Sequence, residues 1–187
     1  MDIKERIILA CRDLSRAHGF HNVNMDELAA RTGVSKRTLY RYFPGKEAVI
    51  EATLDAFMAE VAGEADRILQ CEKEPARILS GLLQYLFING QFVTNPQSLN
   101  DLKQHYPHLW QKIDQFRMNR IRVVLAFINS SGESALSKEI DPRIITAVIV
   151  SSIQAVLNPD FVLTNNLTFE ETARQLSKYL LSPFIPV

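Results

Sequence analysis

The chain reads as all-α, with an N-terminal three-helix head on a larger helical body and about nine helices in total. Three observations predict this. Apolar residues recur at three- and four-residue spacing along nearly every segment, and no segment makes a convincing strand. Glycine and proline are sparse, seven and eight in 187 residues, so long irregular stretches are not expected. Apolar residues make up 47% and charged residues 22%, a globular balance that excludes wholesale disorder and low-complexity architecture.

Ile3, Ile7, Ala10, Leu14 and Ala17 form the first helical stripe, and Gly19 is placed to end a helix over 2–18. Asn24 and Glu27 make a variant capping box, with the Asn oxygen expected to accept from the Glu27 amide, for a short helix over 25–31. Thr32-Gly33-Val34 is a tight connection, Ser35 the N-cap of a third helix through Tyr40 to Phe43, and Pro44-Gly45 its end. A long helix follows from about Lys46 to Gln70, carrying Val49, Ile50, Leu54, Phe57, Val61, Ile68 and Leu69, and links head to body.

Residues 76–93 are apolar almost all round, which predicts a central, enclosed helix closed by Asn95-Pro96. A short helix near 98–105 precedes Pro107, and Leu109, Ile113, Phe116, Val124 and Phe127 mark a long one ending near Ser131-Gly132. Asp141-Pro142 supplies a cap and an N1 proline for an apolar helix through Leu157. Thr168 and Glu171 form a second capping box for a last helix with Ala173, Leu176, Leu180 and Leu181, stopped by Pro183.

Basic and acidic residues balance at 21 each, but unevenly: residues 1–50 carry nine basic and six acidic side chains, the remainder twelve and fifteen. Between Arg31 and Lys46 lie Arg31, Lys36, Arg37, Arg41 and Lys46 with no acidic residue. This segment follows a helix, a short helix and a turn at Gly33, which is the spacing of a helix-turn-helix whose second helix reads base edges in the major groove. Leu28, Ala29, Val34 and Leu39 can fill its core, while Ser35, Lys36, Arg37, Thr38, Tyr40, Arg41 and Tyr42 crowd donors for phosphates and base edges into eight residues.

Gly19-Phe20, Met25 to Ala29, Thr32 to Phe43 and Lys46-Glu47, at their mutual spacing, resemble the tetracycline-repressor-like (TetR/AcrR) family of transcriptional regulators, over residues 5–50. The resemblance implies a helix-turn-helix DNA-binding domain over 1–46 and a helical ligand-binding and dimerisation domain over 47–187. It implies that Thr38, Tyr40 and Tyr42 contact phosphates or bases, that Lys36 and Arg37 sit at the reading end of the third helix, and that Lys46 meets a phosphate. Asn24 stands where the family often has Ser or Thr, and Gly45 where a polar cap is more frequent.

The expected function is therefore a homodimeric regulator, most simply a repressor released from a palindromic double-stranded operator when a small lipophilic or amphipathic effector binds the body. Leu83, Phe87, Gln91, His105, Trp110, Phe116, Arg117, Arg120 and Gln154 are the candidate pocket lining, since polar groups beside apolar helix faces need a partner in protein, water or ligand. An anionic head group is preferred because Lys103, Lys112, Arg117, Arg120 and Arg122 face only Asp114 within 103–122. Ile145, Ile149, Ser152, Ile153, Val156, Leu176 and Leu180 are the candidate dimer seam.

Other readings are weaker. Asp101, His105 and His108 share i, i+4, i+7 spacing, but Pro107 breaks the helix between the histidines, so no metal site and no cofactor are expected. Cys11 and Cys71 have no ligand or disulfide spacing and read as small apolar residues. The run Ile7 to Cys11 is too short and charge-flanked for a signal peptide, and no stretch reaches about 20 apolar residues, so a cytoplasmic protein without membrane contact is expected. An α-helical enzyme or a protein-binding adaptor are the alternatives. The first lacks a phosphate loop, a Glu-x-x-His pair or a nucleophile elbow to support it.

Overall fold

A computed structural model of the chain describes residues 2–130 and 140–181. Among these there are eleven helices and no strand: α1 (Ile3–His18), α2 (Met25–Thr32), α3 (Lys36–Tyr42), α4 (Lys46–Cys71), α5 (Pro75–Asn89), α6 (Gln91–Thr94), α7 (Pro96–His105), α8 (Pro107–Ser130), α9 (Pro142–Val156), α10 (Pro159–Thr164) and α11 (Phe169–Leu181). Ser131-Gly132 and Pro183, expected as helix ends, lie outside the described residues.

The count exceeds nine for local reasons. Gly90 adopts φ −91°, ψ −2° without a side chain to cap the next turn, and divides the expected 76–93 helix into α5 and the short α6. Asn158 then accepts a hydrogen bond from the Phe161 amide at 2.8 Å with Pro159 at the first helical position, which opens α10. Asn95-Pro96 opens α7 rather than merely closing its predecessor, because the Asn95 side chain accepts from the Ser98 amide. Nor is α5 enclosed. Ile78 is fully buried, Leu82, Leu83, Leu86 and Phe87 are half-buried, and Ile88 is exposed.

Two compact units emerge, and neither is continuous in sequence. The first holds residues 1–60 and 90–113, the second 61–89 and 114–187, so α4 and α8 each contribute to both. In the first unit, α1 packs on α2, α6 and α7, and α2 on α3. Ile7, Leu14, Phe20, Leu28, Leu39, Ile50, Phe92, Leu99 and Leu102 are almost fully buried. Phe92 stands edge-on to Phe20 at 6.2 Å and to Phe57 at 5.2 Å. The Arg12 guanidinium lies 5.0 Å from the Phe92 ring centre and donates two 3.0 Å hydrogen bonds to Glu60. Cys11 is buried beside Ser15, and burial pushes its thiol pKa up, as for a small apolar residue. Cys71 is exposed.

The second unit has two core clusters. Ile68, Ile78, Val124 and Ile128 form one, with Leu69, Leu79, Leu82 and Phe127 packed around it. Met118, Leu125 and Val150 form the other, with Ile121, Ile149 and Ile153. Helix α11 packs on α5 and α9, and α10 on α9.

The first unit contains a buried carboxylate where the α1–α2 turn meets α7. Asp101 is 1% exposed, and its oxygens accept from the His21 backbone amide at 2.8 Å and the Gln97 side-chain Nε2 at 3.0 Å. Gly19 lies against it at φ 77°, ψ 169°, a region essentially reserved to glycine, and a Cβ there would stand 2.4 Å from Asp101 Oδ2. Gly19→Ala is therefore expected to cost at least about 2 kcal/mol in urea unfolding, from backbone strain plus displacement of a buried charge. A loss below half that would show that the turn relaxes freely.

Candidate nucleic-acid interface

The sequence places its helix-turn-helix signals where the structure uses them. Gly33 ends α2 in the left-handed conformation, φ 65°, ψ 29°, and its amide donates to Ala29 and Ala30 carbonyls. Ser35 caps α3, its hydroxyl accepting from the Thr38 amide at 3.0 Å and lying 2.9 Å from the Thr38 hydroxyl. Asn24 caps α2, but it accepts from the Asp26 amide at 2.8 Å rather than from Glu27. The Glu27 carboxylate instead accepts from Arg31 one turn on, so the expected capping box has only its cap.

Helix α3 is cleanly divided. Leu39 and Phe43 point inward, 0% and 4% exposed, while Lys36, Arg37, Tyr40, Arg41 and Tyr42 are exposed and Thr38 is half-buried. Seven residues thus present three cations and two phenols to solvent from a two-turn helix anchored by one leucine. The Arg41 guanidinium lies 5.6 Å from the Tyr42 ring centre. Lys36 is paired with Asp26 at 2.7 Å, a carboxylate that holds its ammonium pKa above the ordinary lysine value by hydrogen bond and charge. Asp26, which lies outside the Arg31–Lys46 run, therefore competes for one of its exposed cations.

Lys46, the first residue of α4, donates from Nζ to the His21 carbonyl at 2.7 Å. The residues Asp101, His105 and His108 take separate partners: the His21 amide, the His21 ring at 3.9 Å in a near-parallel stack, and the Glu47 carboxylate at 2.9 Å. Lys112, one turn beyond His108, bridges Glu51 at 2.8 Å and Asp55 at 2.6 Å, and both carboxylates keep it charged. Among the described residues no group of three His, Cys, Asp or Glu side chains could hold a metal ion, and no helix is long and apolar enough to cross a membrane.

The candidate pocket residues are divided between the two units. Gln91, His105 and Trp110 belong to the first unit, and Leu83, Phe87, Phe116, Arg117, Arg120 and Gln154 to the second. Gln91 accepts from Arg16, and Gln154 is exposed. Arg120 donates to the Ala62 carbonyl at 2.7 Å and to Asp66 at 2.9 Å. Arg117 donates to the Leu157 carbonyl and to Asp114, and burial lowers its pKa against the pull of that carboxylate. The preference for an anionic head group loses its support, because the donors meant for it serve carbonyls and carboxylates of the same unit. An open groove of about 480 Å³ is lined instead by Arg122, Ala126, Arg143, Thr146, Val150 and Ser151, with Pro142 and Ala147.

The candidate dimer residues lie on α9 and α11. Ile145, Ile149, Ser152, Ile153, Val156, Leu176 and Leu180 are half-buried, Ile149 and Ile153 against the Met118 cluster, and the Ser152 hydroxyl donates to the Val148 carbonyl at 2.8 Å. The outward face of α9 carries Ile144 and Val148, 57% and 54% exposed.

Residues 7–53 match the family model described as bacterial regulatory proteins, tetR family. The chain is 29% identical over 180 residues, 95% of its length and 93% of the relative's, to YvaF of Bacillus subtilis (strain 168), named an uncharacterized HTH-type transcriptional regulator. Its fold is similar to a TetR transcription regulator from Haloarcula marismortui ATCC 43049, with TM-score 0.70, 17% identity and 99% of each chain covered. It is also similar to FadR from Bacillus subtilis in complex with stearoyl-CoA, with TM-score 0.65, 19% identity and 97% and 99% covered.

Ser35→Ala removes the only side-chain cap of a seven-residue helix and is expected to cost about 0.5–2 kcal/mol in urea unfolding, with Ser35→Asp restoring most of it. A neutral Ser35→Ala would show that packing of Leu39 and Phe43 alone holds α3.

Proposed function

Because the chain belongs to the tetR family of bacterial transcriptional regulators, we propose that it is a homodimeric repressor that leaves a palindromic operator when a small lipophilic or amphipathic molecule binds. The observation that carries the DNA-binding reading is the two-sided α3, with Leu39 and Phe43 inside and Lys36, Arg37, Tyr40, Arg41 and Tyr42 outside. Ser35 and Asn24 cap α3 and α2, and with the Thr38 hydroxyl beside Ser35 they leave hydroxyl and amide groups near the surface for phosphates. Two such heads related by a two-fold axis address half-sites about 34 Å apart.

What supports an apolar effector is the second unit's supply of half-buried apolar side chains, including Leu83, Phe87 and Phe116. What supports self-association is the outward face of α9. Ile144 and Val148 lie one turn apart, two exposed apolar side chains that a two-fold partner would cover.

Two experiments test these readings. Genomic fragments retained by the protein define a duplex, on which Lys46→Ala is expected to weaken binding to all sequences and flatten the slope of log affinity against log salt by about one. Arg37→Ala is expected to relax preference at one base position, by about 1–3 kcal/mol if it reads guanine. No salt-dependent retention of any duplex would defeat the DNA-binding reading. Sedimentation at micromolar concentration should show a dimer for the native chain and a monomer of unchanged helix content for Val148→Asp, since two carboxylates would face each other across the axis. A monomeric native chain would defeat the assembly.

A further inference from the structure

We propose that Asp101 and His105, one turn apart on α7, are positioning residues for DNA binding, acting through His21 on Lys46. The proposal rests on the reading of Lys46 as a phosphate contact. His21 lies in the turn between α1 and α2 and is held on three sides. Its amide donates to Asp101 Oδ2 at 2.8 Å, its ring stacks on His105 at 3.9 Å with 20° between planes, and its carbonyl accepts from Lys46 Nζ at 2.7 Å. The first two contacts come from one face of α7 and the third from the first residue of α4.

A lysine at a helix start is a point charge on a flexible four-carbon stem, and its ammonium has three donors. One donor spent on a fixed carbonyl restricts the stem and leaves two for a phosphate. The carbonyl is fixed only if its own peptide is, and that is what Asp101 does. Its carboxylate is 1% exposed yet spends one oxygen on the His21 amide and the other on the Gln97 side chain at 3.0 Å. A buried carboxylate is retained at a desolvation cost, which is met here by donors that define the turn.

The test is a double-mutant cycle on the duplex that the native chain selects, read with salt titrations and urea unfolding. Asp101→Ala is expected to lose affinity about tenfold, the order of one charge-assisted contact. It is also expected to flatten the salt slope by about one, as Lys46→Ala does. The double variant Asp101→Ala, Lys46→Ala should bind no more weakly than Lys46→Ala alone. Losses that multiply in the double variant, or a native salt slope in Asp101→Ala, would make Asp101 a structural residue only and overturn the proposal. Two gentler variants keep the test open if Asp101→Ala unfolds. Asp101→Asn retains an oxygen for the His21 amide and should bind close to the native level. His105→Ala, at an exposed position, should show a smaller loss that also vanishes in the Lys46→Ala background. Additive losses in these variants would overturn the proposal equally. A native chain that selects no duplex overturns the DNA-binding reading beneath it, and that result is read before any variant is made.

Discussion

A buried carboxylate must be satisfied by donors, and Asp101, held by the His21 backbone N–H and the Gln97 side chain, imposes that requirement on everything around it. The His21 amide must face α7, so the chain between α1 and α2 has to turn sharply enough to present it. That turn leaves no room for a side chain at residue 19, where even a methyl group would meet the carboxylate, and Gly19 takes a backbone conformation that other residues avoid. Phe20, the next residue, is thereby driven fully inside against Phe92. The turn between the first two helices of the helix-turn-helix head is thus bonded to a residue 80 positions later.

The other contacts of the first unit follow the same logic of distant partners. Phe92 brings α6 against Phe20 and Phe57, and Arg12 lies over Phe92 while pairing with Glu60. Along α4, Glu47, Glu51 and Asp55 present carboxylates at four-residue spacing to His108 and Lys112 at the start of α8. Each of these exposed ion pairs contributes little alone. Together they fix register between two helices whose apolar faces, Val49, Ile50 and Leu54 on one and Leu109 on the other, are already buried. A division of roles at residue 46 and a division by packing are therefore different things: residues 90–113 are packed with the head.

What the sequence made legible was local. Ser35, Asp141 and Thr168 all cap the helices their neighbours begin, because a cap bond spans two or three residues and its signal is complete within that window. The burial of Leu39 and Phe43 beneath an exposed basic face was equally readable from period alone. Asn158-Pro159, a cap and an N1 proline, carries the same kind of local signal for α10. Illegible were the long-range pairs. Asp101 looked like one member of a histidine face, and only the fold turns it toward His21, stacks His105 on the same residue and sends His108 to Glu47. Arg117 and Arg120 looked available because nothing in sequence announces the Leu157 and Ala62 carbonyls that occupy them.

If the Asp101 bond makes the α1–α2 turn and α7 one cooperative element, native-state amide hydrogen exchange reads it directly. The His21 amide should then be protected to about the same free energy as the interior amides of α7, and the two should open together as urea is added. A His21 amide exchanging at the rate of an exposed loop while α7 stays protected would contradict the account, leaving the head a module that α7 merely touches.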